Sequence, residues 1–121
     1  MVYRHLQVRE YDLLDWRKHH TVVKPISSRL VDWFWVAVAN FTSEQRAKML
    51  QFSTGSSQLP PGGFAELRPL FQIGGCAQTN VLPSAHTCFN MICLSEHPTY
   101  LKFEQSLLTA ITEGCEGFGL I

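Results

Sequence analysis

The pairing in this chain best suited to acyl chemistry is a thiol two residues after an imidazole, in His86-Thr87-Cys88-Phe89-Asn90. A free cysteine titrates near 8.5, so about a few per cent is thiolate at neutral pH. That fraction suffices to attack an activated acyl group such as a thioester, whose leaving group is itself a thiol. An unactivated amide would need a base that lowers the thiol's pKa, and His86 is the only neighbouring candidate. Nothing like the Cys…His…Asn order of a cysteine protease follows downstream, and the spacing of His97 does not tie it to the site. The residues therefore favour acyl transfer from a thioester over peptide hydrolysis. The structural alternative is a packed cysteine, since free Cys is among the most buried residue types.

The elements around the thiol determine whether it can be reached. Pro83 and Ser84 read as loop, and the run Phe89 to Leu94 reads as a strand. Together they put Cys88 on the lip of a strand, open to a partner and anchored by the core. Upstream, Asp12 is a candidate cap for a short helix through Trp16 and Arg17. His19-His20 has no third ligand at metal-binding spacing and is read as solvent-facing. Ser27 or Ser28 caps a helix whose Leu30, Val31, Phe34, Trp35 and Val38 form an apolar face ending at Asn40. Thr42-Ser43-Glu44-Gln45 matches a capping box for a second helix to about Phe52, with Gly55 as its stop.

Residues 53–63, rich in Ser, Gly and Pro, read as a structured loop, and no Lys-Ser or Lys-Thr follows the glycines to make a phosphate loop. Leu70 to Ile73 reads as a strand ended by Gly74-Gly75, and residues 77–85 as loop. Pro98-Thr99 opens a last helix with Tyr100, Phe103, Leu107, Ala110 and Ile111 on its core face, closed by Gly114. The stretch 115–121 reads as a flexible tail.

Composition narrows the function classes. At 121 residues the chain fits one domain. Ten basic and ten acidic side chains cancel, so no global field draws it to nucleic acid or to a membrane surface. Four cysteines, at 76, 88, 93 and 115, form no Cys-x-x-Cys pair, which leaves a zinc ribbon unsupported. No metal and no cofactor is expected. The N-terminus lacks the apolar core of a secretory signal. Free thiols then point to a reducing compartment, the cytosol or nucleus.

Several motifs, taken in order, resemble the catalytic domain of HECT-type E3 ubiquitin-protein ligases. They are Asp12-Leu13-Leu14-Asp15-Trp16-Arg17-Lys18-His19, Trp33-Phe34-Trp35, Leu50 through Pro60, Gly62-Gly63-Phe64-Ala65, Leu82 through Asn90, and Glu116-Gly117-Phe118-Gly119-Leu120. The resemblance implies the C-terminal catalytic lobe, or C-lobe, without its larger N-terminal partner. Residues 1–11 would be hinge and N-terminal extension, and residues 12–121 the lobe with its tail. It also implies that Cys88 is the nucleophile, taking ubiquitin as a glycyl thioester from an E2 conjugating enzyme docked on the absent N-lobe and passing it to a substrate lysine. His86 would support the thioester. Thr87, Phe89 and Asn90 would contact ubiquitin or support the loop, and Phe118 would orient the transfer step. Ser95 and His97 depart from the family's usual proline and aromatic, which bears on loop shape rather than on the chemistry. The isolated lobe is expected to be a monomer.

Helices, then short strands, then a helix predict an α+β fold, a small β-sheet packed by about four or five helices. Two other functions remain open on these residues. One is a cysteine hydrolase acting on ubiquitin conjugates, and the other is a non-catalytic ubiquitin-binding lobe in which Cys88 is merely packed.

Overall fold

Three local devices begin and end the helices that carry most of the apolar surface. Ser27 Oγ accepts the Leu30 amide and starts α2 (Ser28–Asn40). Thr42 and Gln45 make a reciprocal capping box that starts α3 (Ser43–Thr54), and Gly55 ends α3 with φ +79°. Only a residue without Cβ adopts that left-handed conformation at little cost. The computed structural model describes the backbone of residues 10–119 and the side chains of residues 12–114, in both cases apart from Ser57.

Before α2 come α1 (Glu10–Lys18) and β1 (His20–Val23), and after α3 come β2 (Phe71–Gly75), β3 (Ser84–His86), β4 (Met91–Leu94) and α4 (Tyr100–Gly119). Short 3-10 turns cover Gly63–Glu66 and Thr87–Phe89. The described residues thus hold four helices and a four-stranded sheet in the order β1-β2-β4-β3. The pairs β1–β2 and β2–β4 are parallel, and β3 runs antiparallel to β4 at one edge. This is the expected α+β architecture.

Its core centres on Trp16, which is fully buried. The indole stacks on Phe64 at 4.9 Å and meets Phe71, Trp35 and Phe34 edge-on at 5.2, 5.8 and 6.3 Å. One ring therefore joins α1, α2, the Gly63 turn and the central strand β2. Asp15 fixes α1 from the other side, where its Oδ2 accepts the Phe64 amide and its Oδ1 lies 3.1 Å from His19 Nδ1. Phe103, Leu107 and Ile111 of α4 close the core, along the face predicted for that helix.

Five local expectations change. Asp12 does not cap the first helix, because α1 already begins at Glu10 and contains it. The strand expected from Phe89 begins at Met91, because Asn90 sits at φ +53° and breaks the extended run. Two strands, β1 and β3, arise where no apolar alternation marks them. Neither holds a buried residue, so neither carries a sequence period to read. The histidines 19 and 20 are partly buried rather than solvent-facing, with His20 packed edge-on against Trp35 at 5.0 Å. Finally, α4 continues past Gly114 to Gly119. Residues 1–9 of the expected hinge, residues 120–121, and the side chains of 115–119, Phe118 among them, lie outside the described residues.

The segment after β4 is tied back to α2 by Glu96, which accepts from Ser27 Oγ at 2.7 Å and from Arg29 Nη2 at 3.0 Å. The Ser27 hydrogen bond, with the Arg29 guanidinium behind it, holds the Glu96 carboxyl below the usual carboxylate range, against a smaller opposing effect of burial. A carboxyl depressed on folding stabilises the protein above its unfolded pKa and loses that contribution as pH falls through the folded value. Glu96→Gln is therefore expected to lower the melting temperature at pH 7 and to narrow that gap as pH falls below about 4. Thermal melts from pH 3 to 7 check this, and a gap that widens on acidification contradicts it.

Candidate active site around Cys88

The thiol lies on a single turn of 3-10 helix, Thr87–Phe89, between the end of β3 and the start of β4. Its residue is exposed, so the packed-cysteine reading does not describe it. A turn this short is not stable alone, and the structure holds it from several directions. The Asn90 amide closes it on Thr87 O at 3.2 Å. Asn90, in the left-handed region, then aims its Nδ2 at the Pro69 carbonyl, 2.7 Å away. From β2, Gln72 donates its backbone amide to Asn90 O and its side-chain Nε2 to Phe89 O, both at 2.9 Å. From below, the Gly55 cap of α3 lies against Thr87, close enough that a Cβ there would touch the Thr87 side chain at 3.5 Å.

The candidate residues are thus contiguous, but their surroundings differ. Thr87 and Asn90 face structural partners. Phe89 has its carbonyl held while its ring is 58% exposed beside Cys88. Leu82, at 49% exposed, is a second bare apolar side chain on the approach to β3. His86 ends β3, opposite Met91, and is exposed. Among the described residues no hydrogen bond joins its ring to Cys88. Instead it shares a groove of about 510 Å³ with Cys76, Cys93, Ser84 and Leu82.

Two departures noted in the sequence lie behind that groove, where Ser95 holds its lining residue Val81. Ser95 is buried and donates to the Val81 carbonyl, with His97 Nε2 3.1 Å from its hydroxyl. Gln72 is the site residue that sequence reasoning missed. No spacing rule connects it to Cys88, because the link depends on the register between β2 and β4.

The thiols are separated by environment. Burial pushes the Cys93 thiol up and the nearby Cys76 adds to that, while a Ser84 hydrogen bond works against it. With limiting iodoacetamide at pH 7, Cys88 is expected to be alkylated about tenfold or more ahead of Cys93. Peptide mass spectrometry over time reads this, and equal rates would show that Cys88 is not open in solution.

Comparison with known proteins extends these observations. The family model described as HECT-domain (ubiquitin-transferase) matches residues 5–121. Apoptosis-resistant E3 ubiquitin protein ligase 1 of Mus musculus is 45% identical over 115 residues, covering 93% of this chain and 14% of that protein. E3 ubiquitin-protein ligase ptr1 of Schizosaccharomyces pombe is 47% identical over 118 residues, covering 91% of this chain and 4% of that protein. E3 ubiquitin-protein ligase RSP5 of Saccharomyces cerevisiae is 37% identical over 119 residues, covering 93% of this chain and 14% of that protein. The chain therefore spans a small fraction of the length of the relatives it matches.

Proposed function

Because this chain belongs to the HECT-domain (ubiquitin-transferase) family, we propose that it is the catalytic C-lobe of an E3 ubiquitin-protein ligase and that Cys88 carries the ubiquitin. The observation behind this reading is an exposed cysteine on a clamped turn, at the foot of an edge strand. The Cys88 thiolate attacks the carbonyl carbon of the thioester that joins ubiquitin's terminal glycine to the E2. The bond to the E2 sulfur breaks, and that thiolate leaves and takes up a proton. A substrate lysine amine then attacks the new thioester, the bond to Cys88 Sγ breaks, an isopeptide bond forms, and the amine's proton is released.

The site's residues divide this work. β3 is at the edge of the sheet and runs directly into the turn. An extended ubiquitin tail adding to that edge would deliver its last glycine to Cys88. The exposed rings and methyls of Phe89 and Leu82 offer apolar contacts to ubiquitin beside the thioester. Thr87 and Asn90 keep the turn in shape. His86 lies along the tail's route, where it can donate a hydrogen bond to an acyl carbonyl. The E2 and the substrate dock on other parts of a longer enzyme, which works where thiols stay reduced, in the cytosol or nucleus.

Phe118 acts in the second step, holding the thioester and the incoming amine in line from a glycine-flanked segment. In the full-length ligase, Phe118→Ala is expected to leave thioester formation within about twofold of wild type and to slow lysine transfer by about 10- to 100-fold. Single-turnover assays that follow the charged ligase and the product separately test this. Equal slowing of both steps contradicts the assigned role. The same assay, run with a ubiquitin-lysine conjugate as the starting material, tests the hydrolase reading. Release of free ubiquitin from that conjugate at Cys88 would favour hydrolysis over transfer.

A further inference from the structure

We propose that Gln72 is a positioning residue for the transfer reaction, setting the orientation of the turn that presents Cys88; this rests on the ligase reading above. The two carbonyls that follow the thiol in sequence, those of Phe89 and Asn90, are both held by this one residue. Its backbone amide takes the Asn90 carbonyl as part of the β2–β4 register, which pairs Gln72 with Met91. Any residue but proline at position 72 would make that bond. The side-chain bond is different, because Nε2 reaches past the end of the ladder to the Phe89 carbonyl, one peptide beyond the last regular pair.

Among the described residues, the one other hydrogen bond made by the Phe89–Asn90 peptide unit itself is the 3.2 Å closure from the Asn90 amide to Thr87 O. Rotation of the Phe89 peptide tilts Cys88, its immediate neighbour, and moves Sγ relative to a tail seated on β3. Gln72 is well placed to prevent this. β2 is an interior strand, paired on both sides, and the flanking Phe71 and Ile73 are fully buried. Pro69, which accepts from Asn90 Nδ2, lies three residues upstream on the same chain segment. One stiff segment therefore grips the turn through two residues, and its side-chain grip requires an N–H donor that can reach the Phe89 carbonyl.

A small shift of a nucleophile's position can slow an otherwise intact reaction by about 100-fold. Such a loss falls on the rate at saturation rather than on partner binding. Bimolecular alkylation of Cys88 by a small reagent has no such requirement and should be insensitive to the tilt.

The test uses the full-length ligase with Gln72→Met, which keeps length and removes the donor, and Gln72→Glu, which sets a carboxylate against the carbonyl. Gln72→Arg restores an N–H donor. In single-turnover charging from ubiquitin-loaded E2, the saturated rate is expected to fall about 10- to 100-fold in the first two variants and to recover in part in the third. The half-saturating E2 concentration, the iodoacetamide rate at Cys88 and the melting temperature should stay close to wild type. A saturated rate within twofold of wild type in Gln72→Met overturns the inference while leaving the ligase reading intact. A rate loss that tracks a lowered melting temperature or a slowed iodoacetamide reaction also overturns it, making Gln72 a folding residue. If the wild-type ligase itself acquires no ubiquitin on Cys88, the ligase reading fails and this inference fails with it.

Discussion

Trp16→Ala is expected to destabilise the domain by about 3–5 kcal/mol, the range for truncating a buried large aromatic to alanine. Domains of ordinary size are stable by about 5–15 kcal/mol, so this one substitution removes a large share of the total. The side chain is fully buried and touches four other rings, from α2, the Gly63 turn and β2. A cavity there cannot collapse easily, because its walls belong to elements fixed elsewhere, by the Asp15 contact with the Phe64 amide and by the β1–β2 ladder. The indole N–H adds a second expectation. Nε1 is buried and finds no acceptor among the described residues. Trp16→Phe loses ring area but also removes an unsatisfied donor that is itself costly, so it should cost much less than alanine. Urea unfolding of the three proteins reads both effects. An alanine variant within 1 kcal/mol of wild type would contradict the central place given to Trp16.

What could be read in the chain beforehand followed how local each signal is. The Ser27 cap, the Thr42–Gln45 capping box and the Gly55 stop each lie within one helical turn, and each is found where the residues point to it. The buried face of α2 has the same character, since a period of about 3.6 residues is written into the sequence itself. β1 and β3 had no such signal, because each is short and holds no buried residue, and β1 is held by pairing with the distant β2. Asn90 was legible as part of a motif and illegible as the residue that delays β4, since its left-handed conformation is enforced by a bond to Pro69. Cys88 could be proposed as the nucleophile from its neighbours in sequence. The clamp that orients it could not, because Gln72 and Phe89 meet only once β2 and β4 are in register.

The largest functional loss is expected at Cys88. The turn offers one exposed sulfur, while Cys93 is buried and its thiol is pushed up. Cys76, the other free thiol in the groove beside His86, is only part-exposed and does not lie on the turn. Cys88→Ala should therefore reduce ubiquitin loading to background, with little change in stability, because the residue is exposed. Cys88→Ser keeps the geometry with a weaker nucleophile. The oxygen ester it forms has a poorer leaving group, so ubiquitin should accumulate on the enzyme instead of moving on.

The most direct measurement follows the full-length ligase after mixing with ubiquitin-loaded E2, on gels run with and without reducing thiol. The wild-type adduct should disappear on reduction, the Cys88→Ser adduct should resist thiol and yield to hydroxylamine, and Cys88→Ala should show no adduct at all. A thiol-labile adduct that persists in Cys88→Ala would place the ubiquitin on another cysteine and contradict the account.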